Sequence, residues 1–176
     1  MRSVAAEGDL ERGVEIDITT SFSDSLKFPV IYFLRIFLLL LKQLFKRVIL
    51  VTCGIIELDG KILCAQRSEK MNLPLKWEFP GGKVEKDEDL ETCLKREIKE
   101  ELGVEIKVIE RLPFSTHSYP NNKVIKLIPF RCSLQTFEID LKEHLKVEWA
   151  SPTDLSRYDW ADADIPIVQN YIQSSQ

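Results

Sequence analysis

The stretch GKVEKDEDLETCLKREIKEELGV, from Gly82 to Val104, decides the fold of this chain. Its apolar residues recur at intervals of four, which is typical of a helix with one buried face. Asp87 or Asp89 is placed to cap the start of this helix, and Gly103 stands where a glycine commonly ends one. We therefore predict a helix whose buried ridge consists of Leu90, Leu94, Ile98 and Leu102.

Three glutamates lie on one face of the predicted helix. Glu97, Glu100 and Glu101 are three and four residues apart, and residues at this spacing are neighbours on a helix surface. Carboxylates this close repel one another, and the C-terminal half of a helix is itself a poor place for acids. A hard cation such as Mg²⁺ would relieve both effects, whereas a solvated acidic surface is the competing interpretation.

Strand signals flank the predicted helix on both sides. The run from Val48 to Ile56 is continuously apolar, like a buried strand, and Asp59-Gly60 is a hairpin signal after it. Asn121-Asn122 predicts a second turn. Further strands are predicted from Lys61 to Arg67, Lys76 to Phe79, Glu105 to Leu112, Val124 to Leu134 and Lys146 to Ala150, with helices capped by Ser151 or Thr153 and from Ile165 to Ile172.

This order of strands and helices predicts an α/β (α+β) fold in which a mixed β-sheet is sandwiched between helices. The net charge of −4 argues against a protein held to a nucleic acid polymer by a basic surface. None of the four cysteines forms a C-x-x-C pair, so we expect them to be reduced and buried, as in a cytoplasmic protein.

The N-terminal extension divides into two parts. Residues 1–26 are polar and acidic without a signal-peptide pattern, and we expect disorder there. Residues 27–46 contain the apolar run FPVIYFLRIFLLLLKQLF, in which Arg35, Lys42 and Lys46 would share one stripe of a helix. Three interpretations stay open: a helix on the inner face of a membrane, a helix packed on the domain or a partner, and translation from a start codon placed too early.

The segment from Gly82 to Val104 resembles a Nudix box: glycine, five residues, glutamate, seven residues, then Arg-Glu-aliphatic-x-Glu-Glu-x-Gly-aliphatic. The stretches AQR, WEFPGGK and WADADIPIV resemble the MutT-like branch, which includes bacterial CTP pyrophosphohydrolases. The resemblance covers most of residues 47–173, which we take as the Nudix domain, and none of residues 1–46.

The resemblance implies a metal site and a set of catalytic acids. The Gly82 carbonyl, Glu97, Glu100 and Glu101 would bind Mg²⁺, with Mn²⁺ as an alternative. Glu143 lies six residues before Trp149, where MutT-like enzymes place a further metal-binding or catalytic carboxylate, and Glu148 competes with it. The general base is Glu97, Glu101 or Glu143. Structural roles within the box are expected for Glu88, Arg96 and Gly103, with Glu88 paired to Arg96.

The resemblance also implies a nucleotide site. Arg67 would contact phosphate or base, and Lys83 would contact phosphate. Phe79 or Tyr119 would stack on a base unless they are core aromatics, and Glu78 lies among them. Asp164 aligns with the asparagine with which MutT reads oxidised guanine. An ionised aspartate accepts from an amino group such as cytosine N4, which favours a cytosine nucleotide. The alternative for Asp164 is a helix cap.

The function implied is a Mg²⁺-dependent nucleoside triphosphate pyrophosphohydrolase that releases a nucleoside monophosphate and pyrophosphate. Sanitation of the nucleotide pool would follow, with 8-oxo-dGTP or cytosine nucleotides as substrates. The alternatives are hydrolysis of CTP, dCTP or 5-methyl-dCTP without an antimutator role, a Nudix module that binds a nucleotide without hydrolysis, and a membrane-bound enzyme for lipid-linked or sugar diphosphates.

Overall fold

The computed structural model describes residues 31–39, 47–120 and 122–174. Contacts divide the chain into two units, Met1–Leu44 and Phe45–Gln176. In the first unit residues 31–39 form a helix, α1, whose residues are all exposed. Within the described ranges no helix has the length and apolar character needed to cross a bilayer. The disorder predicted for residues 1–26 and the stripe positions Lys42 and Lys46 lie outside the described residues.

The second unit contains a mixed sheet of seven strands. They are β1 (Arg47–Leu58), β2 (Lys61–Gln66), β3 (Trp77–Glu78), β4 (Ile106–Arg111), β5 (Ser115–Ser118), β6 (Lys123–Leu134) and β7 (Lys146–Ala150). The central pair, β1 and β6, is parallel. The order across the sheet is β3-β2-β1-β6-β4, with β5 on β6 and β7 on β2.

Helices cover both faces of this sheet. They are α2 (Leu90–Leu102), the short 3₁₀ helix η1 (Pro152–Arg157) and α3 (Ile165–Ser174). Ile56 of β1 packs in a cluster with the α2 ridge, and its neighbour Ile55 packs with Leu155 and Ile167 on the other face. Because successive residues of a strand point to opposite faces, the sheet lies between helices, and the predicted fold class is confirmed.

The predicted ends of α2 and the predicted hairpin are confirmed. The Asp89 carboxylate accepts from the amides of Glu91 and Thr92 at 3.1 and 3.0 Å. Gly103 adopts the left-handed conformation at φ 70° and donates to the Lys99 carbonyl at 3.1 Å. Asp59 and Gly60 both have positive φ, as a two-residue hairpin turn requires.

Two strand predictions need correction. Only the C-terminal half of β1 is buried; Val48 is 57% exposed, because β2 pairs with β1 only at its end, through Glu57 and Leu58. Strand β5, with the sequence STHS, was not predicted because it has no apolar alternation. It forms by pairing with the long strand β6, a tertiary interaction that local sequence does not encode.

The four cysteines are buried and free, as predicted. Burial, together with the charge of Glu148, raises the pKa of Cys64 to about 12. Burial also raises the pKa of Cys132 to about 12. These thiols therefore stay protonated and pack as small apolar groups.

Candidate active site

A glycine turn joins β3 to α2 by lying directly on β1. The Gly54 amide donates to the Pro80 carbonyl at 2.8 Å, and the Thr52 amide donates to the Gly82 carbonyl at 2.8 Å. A Cβ on Gly81 would lie 2.2 Å from the Thr52 carbonyl oxygen, and Gly81 has φ 151°. Only glycine fits this conformation and this approach.

The turn brings bare backbone to the carboxylates of α2. A Cβ on Gly82 would lie 2.1 Å from Cδ of Glu97, so the carboxylate occupies the space of a missing side chain. The Gly81 amide donates to Glu101 at 3.1 Å, and Glu101 is only 6% exposed. The side chain of Glu100 is 58% exposed at the edge of this group.

Arg96 organises the same face of α2. Its guanidinium binds Glu88 through two parallel hydrogen bonds of 2.8 and 2.9 Å. It also reaches Glu97 at 2.9 Å and Glu100 at 3.2 Å. The predicted pairing of Arg96 with Glu88 is confirmed, and it lowers the pKa of Glu88 to about 2. The pair ties the loop before α2 to the helix.

Negative charge is concentrated around Glu101. Burial, then the charge of Glu78, raises the pKa of Glu101 to about 9, although the hydrogen bond from Gly81 opposes the shift. Glu97 and Glu143 add to the same effect. Burial also raises the pKa of Glu97, against the lowering by Arg96. Oxygen donors this crowded suit a hard divalent cation, which would offset their repulsion.

The side chains do not form a finished coordination shell. Among the described residues, no three His, Cys, Asp or Glu side chains are arranged to hold a metal ion as they stand. Arg96 bonds to both Glu97 and Glu100, so these carboxylates would have to turn away from it to share a cation with Glu101. The donor chemistry fits Mg²⁺, and the side-chain arrangement would change on binding.

The Gly82 carbonyl stays a predicted metal ligand beside the glutamates of α2. Its carbonyl oxygen accepts from the Thr52 amide at 2.8 Å and faces the Thr52 hydroxyl at 3.4 Å. A carbonyl oxygen has two lone pairs, so the hydrogen bond from the Thr52 amide leaves one that a cation can use. Gly82 also lacks a side chain, which admits the carboxylate of Glu97.

A cleft of about 600 Å³ opens beside the glycine turn. Apolar residues of β1 and β6, such as Val51 and Ile125, form part of its wall. Gly81, whose amide binds Glu101, also lines it. The structure brings together in this cleft the predicted substrate-binding residues Arg67, Glu78, Phe79, Lys83, Tyr119 and Asp164.

The two aromatic candidates differ in their surroundings. Phe79 is 2% exposed and packs on Trp160 with ring centroids 4.8 Å apart, so it belongs mainly to the core. Tyr119 is half-buried and stands edge-to-face with His117 at 4.6 Å. Tyr119 is therefore the more accessible aromatic surface for a base.

Asp164 precedes α3 and reaches back to β3. Its carboxylate accepts from the Phe79 amide at 3.1 Å, and the residue is 4% exposed. Burial, then the charge of Glu78, raises the pKa of Asp164 well above its usual range. The predicted alternative was a helix cap, and the Asp164 carbonyl accepts from the Val168 amide at 3.0 Å at the start of α3. The Asp164 carboxylate itself bonds to the end of β3 and lies in the cleft wall.

The two competing candidates Glu143 and Glu148, the second of which lies in β7, have different surroundings. The Glu143 charge contributes to the raised pKa of Glu101, and the neighbouring Lys142 amide donates to the Glu101 carbonyl at 3.0 Å. Glu148 instead binds Lys146 at 2.6 Å and the Tyr158 hydroxyl at 3.1 Å. Glu143 is thus the better partner of the α2 carboxylates.

Sequence reasoning missed His144. Its side chain is fully buried, and Nε2 lies 2.9 Å from Glu78. Glu78 in turn pairs with Arg67. The only signal in the sequence was its position next to Glu143, because no motif announces a histidine that contacts a carboxylate 66 residues away.

Comparison with known proteins matches this architecture. The chain matches the NUDIX domain over residues 46–171 and belongs to the Nudix family; it is a Nudix hydrolase. The CTP pyrophosphohydrolase of Escherichia coli K12 is 37% identical over 126 residues, 72% of this chain and 93% of that protein. Nucleoside triphosphatase NudI of Escherichia coli O139:H28 is 32% identical over 122 residues, 62% and 86% of the two chains.

Solved structures agree with this assignment. The MutT protein of methicillin-resistant Staphylococcus aureus 252, described as a DNA mismatch repair protein of the Nudix hydrolase family, is 45% identical with a TM-score of 0.61. The match covers 74% of this chain and 99% of that one. The ORF135 protein of Escherichia coli is 36% identical with a TM-score of 0.64, over 72% and 90% of the chains. The predicted resemblance is confirmed.

Proposed function

We propose that this chain is a Mg²⁺-dependent nucleoside triphosphate pyrophosphohydrolase. The observation that carries the proposal is that one cleft joins the backbone beside Glu101 to a cationic side chain, Arg67, and to a buried polar side chain, Asp164. The triphosphate would need the carboxylate region beside Glu101 and the positive charge of Arg67. The base would need a polar partner such as Asp164. The relatives named as a CTP pyrophosphohydrolase and a nucleoside triphosphatase support the same substrate class.

The proposed reaction is attack by water within the phosphate chain. The water oxygen bonds to phosphorus, the bridging P–O bond breaks, and pyrophosphate leaves while a nucleoside monophosphate remains. A bound divalent cation would neutralise phosphate oxygens and favour ionisation of the water. Glu97, Glu100 and Glu101, with the Gly82 carbonyl, would hold this cation, and Glu143 is a further candidate ligand. The proton of the water would go to Glu143 or, as alternatives, to Glu97 or Glu101.

Arg67 and Lys83 would bind the phosphates. A guanidinium offers several N–H groups to phosphate oxygens, and a lysine offers a compact positive charge. Arg67 already donates to the Asn72 carbonyl and to Glu78, which fixes one part of the guanidinium. Lys83 is exposed next to the glycine turn and lines the cleft.

For the base we propose cytosine nucleotides first and 8-oxo-dGTP second. The carboxyl of Asp164 can accept from cytosine N4 whether it is ionised or protonated, because a protonated carboxyl keeps acceptor capacity. Its raised pKa favours the protonated form, which can donate to a guanine oxygen, so the cleft also suits an oxidised guanine. Hydrolysis of 8-oxo-dGTP would serve nucleotide-pool sanitation, whereas hydrolysis of CTP or dCTP would be a pyrophosphohydrolase activity without an antimutator role.

A substrate panel tests this proposal. Turnover of CTP, dCTP, 5-methyl-dCTP, dGTP and 8-oxo-dGTP is measured with Mg²⁺, with Mn²⁺ and with a chelator. We expect kcat/KM to be highest for a cytosine nucleotide or 8-oxo-dGTP, and activity to disappear with the chelator. Predominant turnover of ADP-ribose or of a dinucleotide would contradict the triphosphate assignment.

The location and domain limits are also proposals. Buried, free cysteines suit a reducing cytoplasm, and residues 47–173 are proposed as the catalytic domain. We keep the proposal that residues 28–45 contact the inner face of a membrane. Fractionation of the full chain tests it, since recovery in the soluble fraction alone would exclude the contact.

A further inference from the structure

A connected row of three side chains runs from the cleft into the interior. Arg67 of the cleft pairs with Glu78, and the other oxygen of Glu78 lies 2.9 Å from Nε2 of His144. The exposed fraction of these side chains falls along the row, from 18% for Arg67 to 14% for Glu78 and 0% for His144. His144, at the buried end of the row, is therefore the side chain with the least freedom to move.

The imidazole of His144 forms its hydrogen bond with Glu78. A carboxylate can only accept, so Nε2 carries the hydrogen and donates it. The second nitrogen, Nδ1, is buried and has no hydrogen-bond partner within the described part of the chain. Burying a polar nitrogen without a partner costs free energy. A ring that only filled space in the core would need neither nitrogen, whereas a side chain that donates to Glu78 must carry an N–H or O–H group.

The backbone around His144 is fixed at two places that belong to the site. The Leu145 amide donates to the Gln66 carbonyl at 2.8 Å, next to Arg67. The Lys142 amide donates to the Glu101 carbonyl at 3.0 Å, at the end of α2. His144 is thus held between the strand that presents Arg67 and the helix that presents the glutamates.

We propose that His144 is a positioning residue that fixes Glu78 and, through Glu78, holds the guanidinium of Arg67 ready to bind the triphosphate. The inference rests on the proposed function, because Arg67 is taken as a phosphate-binding residue. His144 contacts neither phosphate nor cation in this account. It acts by reducing the number of conformations that Arg67 can adopt before the ligand arrives.

Amide substitutions test the geometry of this contact. The amide nitrogen of a glutamine side chain lies about as far from the backbone as Nε2 of histidine. The amide nitrogen of asparagine lies closer, at the position of Nδ1. We expect His144→Gln to keep near-normal affinity, and His144→Asn and His144→Ala to weaken it about tenfold, within the range of couplings in one hydrogen-bond network. Affinity is measured as the Kd of α,β-methylene-CTP with Mg²⁺, alongside KM and kcat for CTP.

The pattern across these constants identifies positioning. KM and Kd should rise together in His144→Asn while kcat changes less than about threefold, because only binding through Arg67 is impaired. In a Glu78→Gln background His144→Asn should have little further effect. Tyr171→Phe is the control for a lost, partly buried hydrogen bond, because Tyr171 bonds to Glu57 at 2.6 Å outside the cleft.

The outcomes are distinct. Equal Kd values for the wild type, His144→Gln and His144→Asn would overturn the positioning role, as would a loss in His144→Asn that Tyr171→Phe reproduces. If the His144 variants do not fold, an unchanged Kd in Glu78→Gln overturns it. A wild-type chain that hydrolyses no nucleoside triphosphate refutes the proposed function instead.

Discussion

The two ends of the candidate site, the α2 carboxylates beside the glycine turn and the nucleoside end of the cleft, are built in different ways. The carboxylate end, formed by Glu97, Glu100 and Glu101 against the glycine turn, comes from one continuous segment. The nucleoside end combines the end of β3, the β5–β6 hairpin and the residue before α3, which contribute Phe79, Tyr119 and Asp164. A single substitution at the carboxylate end should abolish hydrolysis. A single substitution at the nucleoside end should instead alter which nucleotide is preferred.

The largest effect is expected at the carboxylate end. Glu101→Gln keeps the size of the buried side chain and removes the charge that would hold a cation. We expect kcat to fall at least about 10³-fold, since a bound cation supplies several kcal/mol of charge stabilisation. The control is Glu91→Gln on the same helix, whose exposed carboxylate lies 4.0 Å from Lys95. Unchanged hydrolysis in Glu101→Gln would mean that the metal assignment is wrong.

A smaller effect is expected between the two ends, at Arg67. Arg67→Ala removes a charged donor from the cleft, and such hydrogen bonds contribute about 1.5–3 kcal/mol. KM for the triphosphate should therefore rise about 10- to 100-fold, with a smaller change in kcat. Arg157→Ala, which removes an exposed arginine paired with Asp154, is the control. A kcat loss without a KM change would place Arg67 in the chemistry rather than in binding.

The nucleoside end should control the choice of base. Asp164→Asn keeps an acceptor for the Phe79 amide and changes the group offered to the base. We expect the ratio of kcat/KM for CTP to that for 8-oxo-dGTP to fall about tenfold, within the 1–3 kcal/mol that one base contact contributes. Asp162→Asn, two residues away and half-exposed, is the control. Equal ratios in both variants would remove Asp164 from base recognition.

The smallest effect concerns stability against pH. The folded-state pKa of Asp164 lies above its unfolded value because the carboxyl is buried. The folded protein then binds more protons than the unfolded chain, so the free energy of unfolding falls as pH rises above the usual carboxyl range. Asp164→Asn should reduce this slope by up to about 1.4 kcal/mol per pH unit.

Denaturant unfolding between pH 5 and 8 checks this prediction. Glu101 retains its own raised pKa in both proteins, so the variant should show a shallower slope and not a flat one. Parallel curves for the wild type and Asp164→Asn would mean that Asp164 is ionised in the folded protein.

The carboxylate end could be predicted from the sequence, because the interactions that form it join residues close together in the chain. The four-residue period of the α2 ridge, the cap Asp89 and the terminator Gly103 each act within one helix. The pairing of Arg96 with Glu88 also lies within the segment. The direction of the Gly82 carbonyl was not readable, because hydrogen bonds from Thr52 of β1 determine it.

The nucleoside end depended on tertiary structure. The family resemblance predicted which residues lie at this end. Their burial, which the sequence did not show, determines how they pack and whether they are charged. Phe79 turned out to be a core residue against Trp160, and Asp164 to be buried with a raised pKa. His144 carried no signal, since its contact with Glu78 exists only once β3 and the loop before β7 are adjacent.

The most direct test of the central claim is the identity of the products. The wild type and Glu101→Gln are incubated with CTP and Mg²⁺, and CMP, CDP, phosphate and pyrophosphate are quantified. The account predicts equal amounts of CMP and pyrophosphate from the wild type, and almost none from Glu101→Gln or with a chelator. Release of CDP and phosphate, or unchanged pyrophosphate release by Glu101→Gln, would contradict it.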